Sequence, residues 1–188
     1  MTTIHIDNHL YTTRPEQEGR LPKEMAVYDL LERLHIPFTR VDHEVTATIE
    51  ACHGVDALLG IEICKNLFLC NRQRTFFYML VMPSDKQFKT KEFSPLVNSS
   101  RLSFATPEDM LELLDVTPGS VSIMALMNDK ENRVQLVIDN DLLLHEDFGC
   151  HPCMNTSSLR LKRADVFGKF LEAVHHTPIY LTLKGKEQ

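Results

Sequence analysis

The spacing of apolar residues along the chain changes period several times. In "LPKEMAVYDLLERLH", Met25, Val27, Tyr28, Leu30, Leu31 and Leu34 recur mostly at helical spacing, and Pro37 stops the helix. "FTRVDHE" reads as a short strand. Thr48 is placed as the N-cap of a helix over "IEACHGVDALLG", which Gly60 ends. "IEICKNLFLC" and "TFFYMLVM" read as strands, and the polar turn "NRQR" between them predicts a hairpin. "TKEFSPLVN" and "TPEDMLELLD" predict short helices, the second opened by Thr106 with Pro107 at its first position. "VQLVID" and "TSSLRL" are predicted strands, "ADVFGKFLEAV" a helix and "PIYLTL" a closing strand.

Strands and helices interleave, but the hairpin argues for an α+β fold with a mixed sheet, not a doubly wound parallel one. Residues 1–20 carry little pattern and are expected to form an N-terminal arm or an extra strand, leaving 21–188 as one domain. The 188 residues are 43% hydrophobic, enough for a sizeable core. No apolar run of membrane-spanning length occurs. "MTTIHIDNHLYTTRP" lacks the apolar stretch of a signal peptide, and five irregularly spaced cysteines do not make a secreted disulfide framework. A cytoplasmic location is therefore expected. The net charge of −6 argues against broad, sequence-independent binding to DNA or RNA through many phosphates, although a local basic patch could still grip one nucleic-acid end.

Three stretches carry candidate chemistry. Lys65 shares strand parity with Ile61, Ile63, Leu67 and Leu69, so it either faces a cleft as a phosphate or carboxylate ligand, or marks a late strand start at the surface. Pro118-Gly119-Ser120 is a turn signal whose backbone amides could bind an oxyanion, though a plain turn fits the same residues. In "FGCHPCMNTSSLRL", the Cys150/Cys153 spacing allows a zinc knuckle, a redox pair, or small buried cysteines beside a proline-shaped turn. Cys64 and Cys70 are too far apart to make a second knuckle, and Cys52-His53 falls in a predicted helix. No metal is therefore expected, and because the pair precedes a strand, not a helix N-terminus, a redox pair is not expected either. His151, Asn155 and Thr156 are left as the polar rim of a pocket.

These residues carry a resemblance. "HEVTATIEA" (43–51), "KNLFL" (65–69), "LLDVTPGSVSIMAL" (113–126), "VQLVIDNDLL" (134–143) and "GCHPCMNTSSLRL" (149–161) occur in the order found in the YbaK/ProX superfamily. Its members hydrolyse mischarged aminoacyl-tRNA. The His-Pro followed by Asn-Thr most resembles the branch acting on alanyl-tRNA(Pro), called ProXp-ala or PrdX. The resemblance spans about Leu21 to Leu183. It implies a mixed, mostly antiparallel central sheet flanked by helices, and deacylation of Ala-tRNA(Pro) without a cofactor. The partners it implies are the acceptor end of tRNA(Pro), with prolyl-tRNA synthetase or an elongation factor as further candidates.

By the same resemblance Lys65 holds the tRNA 3′ end, Gly119 belongs to the catalytic glycine loop, and His151 joins them at the reacting centre. His43, Thr48, Asn66, Ser120, Val121, Ser122, Asn155 and Thr156 would contact substrate or tRNA. An aminoacyl ester is already activated, so a positioned water and oxyanion donors suffice, and the resemblance implies help from the terminal ribose hydroxyl. "DKQFKTK" and "RLKR" could add basic grip, or be solvated surface. The family loop commonly reads Gly, three residues, Pro; here Ile123 stands in the proline position. That departure favours the alternative of a non-catalytic regulator that binds tRNA or a synthetase. A small-molecule binding protein that has lost tRNA contact is a third class.

Overall fold

The computed structural model describes residues 4–45 and 49–185, with no side-chain detail for 49–51. The helical spacing near the start becomes α1 (Pro22–Arg33), with Pro22 in its first turn. Its Met25, Val27, Tyr28, Leu30 and Leu31 are buried, as an apolar stripe on one helix face requires. β1 (Phe38–Asp42) follows, then α2 (Ile49–Leu59). The Thr48 cap predicted for α2 lies outside the described residues.

The predicted hairpin forms from β2 (Lys65–Cys70) and β3 (Phe77–Met82), paired antiparallel from Lys65↔Met82 to Cys70↔Phe77. β2 starts at Lys65, four residues later than the apolar alternation suggested. Upstream, Ile61 and Ile63 donate their amides to the backbone oxygen and the carboxylate of Asp56 instead. α3 (Thr90–Leu96), the two-residue β4 (Ser103–Phe104) and α4 (Pro107–Leu114) come next. α4 begins on the predicted cap: the Thr106 hydroxyl accepts the Asp109 amide, and the Asp109 carboxylate accepts the Thr106 amide.

A 3-10 turn over Ile123–Asn128 leads to β5 (Val134–Asp139), and a second over Asn140–Leu144 leads to β6 (Asp147–Cys150). β7 (Ser157–Lys162), α5 (Arg163–Asp165), a π-helical turn (Val166–Phe170), α6 (Leu171–Ala173) and β8 (Ile179–Leu181) complete the order. β6 was not anticipated. Its four residues are too few for alternation to register, and the sequence reads there as a turn.

The strands form two sheets, ordered β1-β7-β6 and β4-β2-β3-β5-β8. The smaller is antiparallel; in the larger, β2 pairs antiparallel with β3 and β4, while β3-β5 and β5-β8 are parallel. Antiparallel pairs therefore predominate, as expected, but in two sheets and not one. They meet at a parallel bridge between Ile63 and Gly149, where the Cys64 amide donates to the Gly149 carbonyl at 3.1 Å. A Cβ on Gly149 would fall 2.9 Å from the Glu62 carbonyl oxygen, so only glycine permits this approach.

β3 and β5 are apolar on both faces because both are covered. Phe77, Met79 and Val81 enter the main core with α1, while Leu80 and Met82 enter a second cluster with Phe93 of α3. The N-terminal segment lies against β1 through bridges Ile6↔His43 and Tyr11↔Arg40, with the Arg40 guanidinium 4.3 Å over the Tyr11 ring. Among the described residues no helix is long and apolar enough to cross a membrane.

Candidate active site

The join between the sheets opens into a cavity of about 430 Å³. α2 supplies Cys52, His53, Val55 and Asp56, and the connection into β2 supplies Glu62, Ile63, Cys64 and Lys65. Ser84, Asp85, His151 and Ser158 close it. Lys65 and His151, 86 positions apart in the chain, thus share one chamber because the Ile63–Gly149 bridge aligns the start of β2 with the end of β6.

Lys65 is half-buried, and its Nζ donates to the Lys86 carbonyl at 2.7 Å, which aims the ammonium without neutralising it. Asp56, Glu62 and Asp85 make the rest of the wall acidic. Asp56 accepts the Ile63 amide at 3.1 Å, and burial raises its carboxyl above the ordinary aspartate range.

His151 is held by its backbone and its ring. Its carbonyl accepts the Ser122 hydroxyl at 2.6 Å, and its Nδ1 lies 2.9 Å from the Ser157 carbonyl and 3.3 Å from Ser158 Oγ. A carbonyl only accepts, so Nδ1 carries the proton and Nε2 is the basic nitrogen of the neutral ring. His43 stands behind the same serine, with Nδ1 2.7 Å from the Glu44 carbonyl and Nε2 2.9 Å from Ser158 Oγ. Ser158 therefore ties the two rings together, their centroids 6.3 Å apart. Burial lowers the pKa of His151; the Ser157 carbonyl opposes this, and neighbouring His43 adds to it. His43 is likewise lowered, chiefly by burial.

The glycine loop lies beside this chamber. Gly119 has φ +85°, in the region that favours glycine, and a Cβ there would stand 3.6 Å from Asn155 Nδ2. The Ser120 amide closes the turn onto Thr117 O at 3.0 Å, so it is not a free oxyanion donor. Ser122 caps the 3-10 turn by accepting the Met124 amide at 3.2 Å. Asn66 bridges loop and strand: its Nδ2 donates to Cys64 O at 3.0 Å and its Oδ1 accepts the Ile123 amide at 2.9 Å. Ile123 itself is fully buried in the main core.

The sequence-derived candidates thus fall into distinct positions. Lys65 and His151 line the cavity. Asn66, Gly119, Ser122 and Asn155 form the shell connected to it, and His43 supports it through Ser158. The Thr156 carbonyl accepts the His43 amide at 3.0 Å. Ser120 is buried and Val121 half-buried in the loop, and Thr48 lies outside the described residues. Ser158, Asp56, Glu62 and Asp85 were missed. Ser158 stands in the quoted "NTSSLRL", but only register decides which serine faces the histidines.

The thiols are unsuited to the redox reading. Cys150 and Cys153 are fully buried in the main core. Burial pushes Cys153 and Cys64 up to about 12, and raises Cys150 as well. They are packed as neutral, apolar groups. The basic runs are also largely committed. Lys86 donates to both oxygens of Asp139 and to Leu183 O, Arg160 donates to Leu59 O, Lys162 pairs with Glu146 and Asp147, and Arg163 donates to His145 O.

A two-sheet α+β fold with a lysine–histidine chamber at the sheet join defines the class: the chain belongs to the aminoacyl-tRNA editing domain family, whose profile matches residues 43–168. It is 34% identical over 165 residues to prolyl-tRNA synthetase associated domain-containing protein 1 of Danio rerio, covering 86% of this chain and 87% of that protein. It is 29% identical over 143 residues to prolyl-tRNA editing protein ProX of Acetoanaerobium sticklandii, covering 76% and 87%. A solved structure described provisionally as a trans-editing enzyme for prolyl tRNA synthetase superposes with a TM-score of 0.63 over 88% of this chain and 99% of that one. At 18% identity that likeness shows the fold alone.

Proposed function

We propose that this protein is a trans-editing hydrolase that deacylates mischarged tRNA(Pro), with Ala-tRNA(Pro) as its main substrate. The observation that carries the reading is the convergence of Lys65 and His151 on one small chamber whose remaining charged wall is acidic. The esterified amino acid bears an ammonium, which Asp56, Glu62 and Asp85 attract, while the RNA bears phosphates, which Lys65 attracts. Opposite charges at the two ends orient the ester.

Water adds to the ester carbonyl, the tetrahedral oxyanion collapses, and the C–O bond to the ribose breaks. The ribose oxygen takes up a proton, leaving free alanine and tRNA with its terminal hydroxyl restored. No protein nucleophile is required, in keeping with the high pKa values of Cys64 and Cys153. The Gly119, Val121 and Ser122 amides are the candidate oxyanion donors, Ser120 being used within the turn. His151, neutral with Nε2 as its basic nitrogen, forms a wall that orients the substrate and refuses a larger ring. His43 and Asn66 hold this machinery, and Thr156 and Asn155 carry the turn behind it.

Support also comes from the Ile123 amide. A loop without the family's proline would be looser, but its bond to Asn66 restores a fixed anchor that proline, lacking an N–H, could not form. This weakens the case for a non-catalytic regulator. Association with prolyl-tRNA synthetase belongs to the same proposal, supported by the name of the Danio rerio relative. The deciding experiment incubates the protein with alanyl-, seryl-, cysteinyl- and prolyl-tRNA(Pro) and follows ester loss. Selective loss of the alanyl ester is expected; tRNA binding with every ester intact would make the protein a regulator.

A further inference from the structure

On the far side of Lys65 lies a second, open concavity of about 560 Å³, outside the chamber already described. Lys65 belongs to both. Its other walls include Leu67, Phe88, Lys89, Lys91 and Phe104, and among the described residues lining it there is no carboxylate. In a chain of net charge −6, this is a local reversal of sign.

The aromatic side of the groove is built and not incidental. Phe104 lies on edge strand β4 opposite Leu69 of β2, so it projects from the same sheet face as Leu69, Leu67 and Lys65. It is 58% exposed. Phe88 meets it edge-on with ring centroids 5.9 Å apart, and Phe88 in turn packs against fully buried Phe93 at 5.8 Å. A ring fixed at its edge with an open face, flanked by lysines, is how proteins hold unpaired nucleotides: bases stack on the ring and phosphates meet the ammonium groups. A purely anionic partner would leave the ring unused, and an apolar one would leave the Lys91 ammonium unused.

We infer that the Phe88–Phe104 groove binds the unpaired 3′ nucleotides of an RNA, those preceding the terminal residue whose ester enters the chamber past Lys65. This rests on the editing function proposed above for what occupies the chamber. The groove can be tested without that function, because uncharged RNA suffices.

The probe is a 5′-fluorescein RNA hairpin with four unpaired 3′ nucleotides, compared with the same hairpin ending blunt, both by anisotropy. The tailed hairpin should bind more tightly. Phe104→Ala should remove that advantage, weakening tailed binding roughly 5- to 150-fold, whereas Phe104→Trp should retain it. Lys91→Ala should reduce the slope of log affinity against log salt by about 0.7, the value of one single-strand phosphate contact. Hydrolysis of alanyl-adenosine, too short to reach the groove, should be unaffected by Phe104→Ala. Absence of that hydrolysis in the wild type would count against the editing function and leave the binding result standing. Equal binding of blunt and tailed hairpins, an unchanged Phe104→Ala affinity, or equal competition by polyglutamate or anionic vesicles would each overturn the inference.

Discussion

The side-chain oxygen of Asn66 accepts the backbone N–H of Ile123 at 2.9 Å, fastening the glycine loop to the start of the strand that carries Lys65. Side chain and loop are 57 positions apart, and this bond ties the strand that carries the ammonium to the loop that carries the candidate oxyanion donors. Preorganised donors act only when held in place before the reaction. Ile123→Pro removes the donor while suiting the backbone, because Ser122 is extended (φ −148°, ψ 149°) and Ile123 opens a 3-10 turn. Asn66→Ala removes the acceptor. Each should lower alanyl-tRNA(Pro) hydrolysis roughly 10-fold, about the worth of one such bond, and the double variant should be little worse than the more affected single one. Additive losses in that double-mutant cycle would mean that the two residues act separately.

Lys65→Ala should leave the fold intact, since the only bond it breaks among those described is to the Lys86 carbonyl. Losing a charge-assisted contact to phosphate is worth about 1.5–3 kcal/mol, or roughly 10- to 150-fold in kcat/KM. Thermal unfolding and deacylation measured on the same preparation separate the two effects. A folded variant with wild-type activity would remove Lys65 from the site.

His151→Ala should lower hydrolysis of the alanyl ester and raise the relative rate on prolyl-tRNA(Pro), because one wall of the chamber retreats. One methylene in a tight pocket is worth about 1–3 kcal/mol of discrimination. The ratio of the two rates is the measurement. Loss of activity on every ester, together with a wild-type rate that titrates with a group below pH 6.5, would make His151 a general base and defeat the wall argument.

Stability should fall in acid through the same pair. Burial holds His151 and His43 below the unfolded value of 6.5, so between that value and the folded pKa the unfolded chain binds more protons. Their contribution is complete above pH 6.5 and is lost as the pH drops toward the folded values. The melting temperature should decline below that point, and His43→Gln should flatten the decline. An unchanged profile in the variant would assign the acid sensitivity to other groups.

Gly149→Ala should cost about 1–3 kcal/mol, because the new methyl meets the Glu62 carbonyl at 2.9 Å and the Ile63 side chain at the bridge joining the sheets. Denaturant unfolding checks the size of the loss. Wild-type stability would mean that the sheets can part there without penalty.

Local signals settled much of the fold before any contact was known. The period of α1, the Thr106 cap and the β2–β3 hairpin are each specified within a few neighbouring residues; the first two formed where they were read, and the hairpin formed with β2 starting late, at Lys65. The five motifs likewise carried the family, because their order along the chain survives without coordinates. What tertiary structure decided depends on distant approach. Lys65 could face a cleft or the surface until the Ile63–Gly149 bridge brought β6 beside it. Asn66 could not be linked to Ile123, nor Ser158 to two histidines, because neither spacing nor periodicity encodes which side chains meet across sheets. The lysines of the two basic runs look alike in one dimension; only burial beside Asp139, or pairing with Glu146 and Asp147, separates the committed ones from Lys91 on the surface.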